Sequence, residues 1–235
     1  MMNTIGIDNN LDWKRIRHLF RLGICAAFMV LVGDMLLGWG TADPGLSGVD
    51  AYFSKYLTVS DARIFWSALL GLVGIPIEVL SYFGVYRLMA DRSPKHAHAY
   101  RMGIFGMLIF GALVHVMCCA VPFYYKKLYV ISPERAVSNT MQFAAYFLFP
   151  ATAIFVIFFF LSAGVQISAF AKGKTPYPKW CAVFSFLFGF VVIAVMKVIG
   201  DYPLTNALST GWISMGSIFM LSGLLICSRK VETAI

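Results

Sequence analysis

Long apolar windows separated by short charged segments dominate this chain, and they restrict it to a fold built in lipid. Hydrophobic residues make up 60% of its 235 positions and charged residues 13%, whereas a soluble domain carries about 25% charged residues. A soluble fold of this size has too little interior to hide so much apolar surface. Within a bilayer every backbone polar group must find a partner inside the chain, so each window of about 20 apolar residues is read as a transmembrane helix. Six are predicted: Phe20 to Gly40, Ala62 to Ala90, Gly103 to Tyr125, Asn139 to Phe170, Trp180 to Gly200 and Gly211 to Ser228. The expected fold class is all-α, a single polytopic bundle of six spans over residues 1–235. The second and fourth windows are long and carry Pro76 and Pro150, which predicts kinked or tilted helices.

Nineteen Lys and Arg against eleven Asp and Glu make the chain basic. A basic balance on its own would fit nucleic acid, but here the positive charges alternate from loop to loop. Lys14, Arg15, Arg17 and Arg21 precede the first window, Arg87, Arg92, Lys95 and Arg101 follow the second, Lys172, Lys174 and Lys179 follow the fourth, and Arg229 and Lys230 follow the sixth. The opposite loops hold Lys55, Arg63, Lys126, Lys127 and Arg135. The positive-inside rule then places both termini on the cytoplasmic side of the plasma membrane, and an even number of spans agrees with that asymmetry. The expected environment is the lipid bilayer, with no nucleic-acid partner; the oligomeric state is left open. Asp34 interrupts the first apolar run and no small-x-small site follows, so the first window reads as a retained span in place of a cleaved leader.

Four ionisable residues, Asp34, Glu78, His115 and Lys197, fall inside four different windows. Each charge placed at bilayer depth costs about 2.5–3.5 kcal/mol or more. They are therefore expected to converge inside the bundle. On the second window Ser67, Gly71, Gly74, Glu78 and Ser81 recur at alternating intervals of four and three, which puts small and polar residues on one face. Gly23, Ala27, Asp34 and Gly38 form a similar stripe on the first, and Gly111 and His115 share a face on the third. Asn139, Gln142 and Tyr146 do so near the outer end of the fourth. Counting depth at about 1.5 Å per residue puts Glu78 near the midplane and the others toward the outer side. The expected result is an outward-facing polar cavity with Glu78 at its floor, and with Asp34, His115, Gln142, Tyr146, Lys197 and Asp201 as further candidates for binding. Trp39, Tyr146 and Trp212 would add aromatic contact.

Each of these residues also has a structural reading. Lys197 lies four positions before Asp201, so the two can pair along one helix, and pairing of Lys197 with Asp34 is a second possibility. A histidine among apolar neighbours is commonly a hydrogen-bonded interior residue. Glu78 has no basic residue near it on its own helix, which is the pattern of a group used for acid–base work or ligand binding. His18, His96 and His98 lie outside the windows and no HxxxH or HExxH pair exists, so no metal site is expected. Phosphate-loop, dinucleotide and Gly-x-Ser-x-Gly patterns are absent as well, and no cofactor is expected. The residues from Thr41 to Asp61 form the longest connection, in which Tyr52, Phe53 and Tyr56 suggest either an interfacial helix capping the bundle or an ordinary surface loop.

Val32 to Gly40 (VGDMLLGWG), followed by Ser60 to Glu78 with its Leu-Gly-x-x-Gly-Ile-Pro-x-Glu segment, resembles bacterial multi-span proteins grouped as a domain of unknown function. The resemblance covers the first two windows and implies a membrane fold without implying an activity. The leading expectation is a cavity that binds a small amphipathic or lipid-like molecule, as a receptor or a carrier, with Asp34 and Glu78 as anionic anchors and His115 as hydrogen-bonding partner. The alternatives are an intramembrane enzyme using Glu78, His115 and Asp34 as acid and base on a lipid or isoprenoid, a proton-coupled transporter, and a structural partner subunit.

Overall fold

The computed structural model describes residues 11–233, with the side chains of all of these except 230, 232 and 233, so the side chain of Lys230 lies outside the described residues. The described residues fold into helices α1 (Trp13–Gly38), α2 (Gly48–Ser54), α3 (Asp61–Ser81), α4 (Phe83–Ala90), α5 (Pro94–Ile131), α6 (Pro133–Ala171), α7 (Phe188–Ile199), α8 (Pro203–Thr210) and α9 (Trp212–Thr233), with short 3₁₀ turns at Lys55–Thr58 and Lys179–Val183. Among the described residues five helical stretches, α1, the consecutive α3 and α4, α5, α6 and α9, are long and apolar enough to cross a membrane.

The helix starts follow local chemistry. The Asp12 carboxylate accepts from the Arg15 N–H at 2.9 Å and the Ser60 hydroxyl from the Arg63 N–H at 3.3 Å, each satisfying an amide of a first turn. Pro94 and Pro133 begin α5 and α6, where a fixed φ suits the first helical residue. Both helices start well before the apolar windows, because their first turns are polar and hydropathy alone does not see them. With 38 and 39 residues they run about 57 Å at 1.5 Å per residue, well beyond a hydrocarbon layer of about 30 Å.

Round the bundle the order is α6, α5, α3, α1 and α9, with α7 lying against α9. Small residues set the close approaches. A Cβ on Gly74 would come 2.5 Å from Val30 Cγ2 of α1, one on Gly103 2.0 Å from Ser162 Oγ of α6, and one on Gly216 2.0 Å from the Phe186 carbonyl oxygen. The small and polar stripes of the first and second windows face these contacts: Gly23, Ala27, Asp34 and Gly38 are buried, as are Ser67, Gly71, Gly74, Glu78 and Ser81.

Two apolar clusters hold the bundle. The larger lies toward the start of α1 and includes Ile16, Phe20, Tyr82, Tyr100, Phe159 and Phe170. The smaller lies toward the end of α1 and joins Leu37, Ile64, Cys119 and Tyr125 to Phe53, Tyr56 and Val59. The connection after α1 therefore packs as a cap. The Phe53 and Tyr125 rings sit 5.0 Å apart, and the Arg63 guanidinium donates to the carbonyls of Leu36 and Trp39 at 2.9 and 3.0 Å, closing the end of α1. Lys55 lies over the rings of Tyr52 and Tyr56, where burial lowers its pKa and the Asp201 carboxylate opposes that shift.

The window from Trp180 to Gly200 does not form one helix. It begins as a 3₁₀ turn, changes direction through Ser185, and becomes helical only at Phe188, giving α7 just 12 residues, about 18 Å. Its ends lie at opposite ends of the bundle. Before it, Tyr177 packs 6.1 Å from Trp13 at the start of α1; after it, the Asp201 carboxylate accepts from the Ala42 N–H at 3.4 Å, beyond the end of α1.

Candidate functional site

Asp34, Glu78 and His115 reach one cavity from α1, α3 and α5. Their relative exposures are 8%, 4% and 8%, so each is removed from the outer surface of the bundle. The cavity, about 360 Å³, lies at the seam between the two apolar clusters: Leu37 and Leu148 belong to one, Met107 and Phe155 to the other, and all four line it.

The protein fixes the orientation of His115. Its Nε2 lies 3.0 Å from the Ser67 carbonyl oxygen, which can only accept, so Nε2 carries a hydrogen. The ring occupies a slot opened by Gly71, where a Cβ would fall 2.0 Å from His115 Cδ2. Nδ1 then faces Asp34 Oδ1 at 3.4 Å. That contact is attractive when one proton lies between the two groups, whichever atom holds it, because a neutral ring with Nε2–H presents a lone pair at Nδ1. The other Asp34 oxygen accepts from the Ser214 hydroxyl of α9 at 2.9 Å. Asp34 is thus held by two helices besides its own.

Glu78 is held differently. The Tyr82 hydroxyl, one turn further along, donates to Glu78 Oε1 at 2.7 Å and lies 2.6 Å from the Ser217 hydroxyl of α9. Tyr82 sits at the break between α3 and α4, where its N–H donates to the Val79 carbonyl in a tightened turn at 3.1 Å. Among the described residues Glu78 has no ion-pair partner, so its carboxyl relies on hydroxyl groups. The cavity therefore contains an internally matched acid–imidazole pair beside an acid with no basic counterpart, in a lining otherwise rich in Val, Ile, Leu and Phe.

The remaining residues read from the sequence lie elsewhere. Gln142 and Tyr146 are exposed on α6, Tyr146 at 70%. Lys197 is exposed on α7 and, among the described residues, pairs with neither Asp34 nor Asp201. Asp201 is exposed and accepts from the Asn206 amide, helping to tie α8 to the end of α1. Of the aromatic candidates Trp212 lines the cavity and Trp39 does not. Sequence reasoning missed Tyr82, Ser214 and Ser217. Their only signal is spacing: Tyr82 follows Glu78 by one turn, and Ser214 and Ser217 share a face of the last window. No group of three His, Cys, Asp or Glu residues able to hold a metal ion occurs among the described residues.

Fold and cavity together define an all-α protein that has, among the described residues, five helical stretches long and apolar enough to cross a membrane, with two acids and an imidazole on one internal cavity. The chain belongs to a family of unknown function, DUF6796, whose model matches residues 2–231. That match extends the resemblance seen in the first two windows to nearly the whole chain. Comparison with curated proteins and with solved structures finds no match.

Proposed function

We propose that this protein binds a small amphipathic or lipid-like molecule in its intramembrane cavity, as a receptor or carrier, with the polar part of the ligand at Glu78, Asp34 and His115. The observation that carries the reading is the convergence of these three groups, from three helices, on a space of about 360 Å³ with an apolar lining. Binding sites for small molecules combine such a volume with few, well-placed polar groups. The test is native mass spectrometry from mild detergent, comparing wild type with Glu78→Gln. A discrete small-molecule adduct in wild type, weakened or lost in the variant, is expected; an adduct-free wild type contradicts the reading.

A second reading, acid–base catalysis on the same bound molecule, is favoured by the 3.4 Å contact between Asp34 and His115 beside a second carboxyl. An enzyme needs groups able to exchange protons at one reacting atom, and these meet in one cavity. An adduct that wild type converts to a new mass, and Asp34→Asn retains unchanged, would select it.

We further propose six crossings of the plasma membrane with both termini cytoplasmic. The alternation of basic loops supports this, as does the path of the segment containing α7, which connects the two ends of the bundle.

A further inference from the structure

We propose that the cavity is entered from the bilayer, through a window between α6 and the α8–α9 junction, and that its occupant is a single-chain amphiphile with a protonated amine head that reaches Glu78 while its tail lies in the window. This rests on the binding function proposed above and specifies its ligand class and route.

The window is visible in how exposure is distributed round the cavity. Every lining residue of α1 is buried, as are Glu78 and Val79 of α3, Tyr82 just after it, and Met107, Gly111 and His115 of α5; Ile75, Val114 and Cys118 are partly exposed, and no lining residue of these three helices is exposed. On α6, by contrast, the lining residues Phe149 and Val156 are 48% and 38% exposed, and Thr152 is partly exposed. Across from them Thr210, Trp212 and Ile213 are partly exposed as well. Both ends of the cavity abut the apolar clusters, one of them completed by the cap, so neither end offers a comparable route.

The packing of α6 explains the opening. It pairs with α5 along its length and meets the 3₁₀ turn at Lys179–Val183 near its own end. Toward α7 and α9 it makes ring contacts lower down, Phe159 with Trp212 at 5.6 Å and Phe160 with Phe190 at 6.1 Å. Pro150 lies in α6 beside the window and lacks the N–H that would bond the preceding turn. Gly211 interrupts the helix on the facing side, between α8 and α9.

Size and charge select the occupant. A space of about 360 Å³ lies at the small end of the range for ligand pockets, about 300–1,000 Å³, which suits a head and a stretch of one chain better than a lipid with two acyl chains. The rest of the chain must leave through the window, whose sides are apolar apart from the hydroxyls of Thr152 and Thr210. Asp34 is matched by His115 and Ser214, whereas Glu78 has hydroxyl contacts and no basic partner. A cationic hydrogen-bond donor complements that acid; a carboxylate head would place like charge against it.

The test uses the full chain in phosphatidylcholine vesicles with a hexadecyl primary amine carrying a mid-chain diazirine, and maps photo-adducts by peptide mass spectrometry. Adducts on Phe149, Thr152, Val156 and Ile213 should exceed those on Ile154 and Ile157, which are exposed on the same helix, by about tenfold. Glu78→Gln should remove that excess. In wild type, excess unlabelled hexadecylamine should remove it too, and palmitic acid should not, so the proposal remains testable should the variant fail to fold. Labelling spread evenly over exposed α6 residues, or equal competition by the acid, overturns the inference. If the ligand adduct in the native mass spectrum still depends on Glu78, such a result leaves the binding function standing; an adduct-free wild type there removes both.

Discussion

Asp34 and His115 show how a buried pair is made tolerable. The ring is fixed by a carbonyl on one side, the acid by a serine on the other, and one proton suffices between them. This geometry separates shape from charge. In Asp34→Asn the amide can donate to His115 Nδ1 while its oxygen accepts from Ser214, and stability should change by no more than about 1 kcal/mol. Asp34→Leu strands both partners and should cost about 1–3 kcal/mol for each. Unfolding of the two variants in detergent checks this; equal stabilities would contradict the arrangement. Asp34, Glu78 and His115 could be read from the sequence because an ionisable group in an apolar window has to turn inward to escape lipid. Tyr82, Ser214 and Ser217 could not, since hydroxyl groups are common in such helices and their significance depends on what stands opposite. Lys197 followed the same logic as the acids and ends exposed on α7, a short helix near whose end a long side chain can extend toward the interface.

Hydropathy marked the helices well where they are continuous and poorly where they break. The windows for α1, α5, α6 and α9 match helices whose polar ends extend past them, and the second window contains α3 and α4 with a turn at Tyr82. The fifth window is as apolar as the others, yet its first part is a 3₁₀ turn and a bend. Apolarity reports burial in lipid or protein, not helical continuity. The close packing of Gly189 and Gly216, where added Cβ atoms would meet Trp212 and Phe186 backbone at 2.2 and 2.0 Å, holds this irregular segment against α9. If it crosses the membrane as proposed, single cysteines at Lys174 and Tyr202, in a background lacking the five native cysteines, will react with an impermeant maleimide from opposite sides. Labelling of both from the same side would remove this crossing.

Over the whole molecule, the cavity exists because two apolar clusters meet without merging. The cap from α2 and its following turn completes one cluster, the convergence of aromatic residues toward the start of α1 completes the other, and the acids and the imidazole occupy the seam. The sequence indicated polar faces on separate helices and left open whether the Thr41 to Asp61 connection caps the bundle; the buried Phe53, Tyr56 and Val59 answer that. A sideways opening had no sequence signature, because it depends on which helices fail to pair. A density map of the protein in nanodiscs formed with its native lipids, with no ligand added, would examine the site itself. An elongated feature should run from Glu78 out between α6 and α9, with Asp34 and His115 within about 3.5 Å of each other. A cavity collapsed onto its own side chains, or Asp34, Glu78 and His115 facing separate surroundings, would contradict the binding site proposed for this protein.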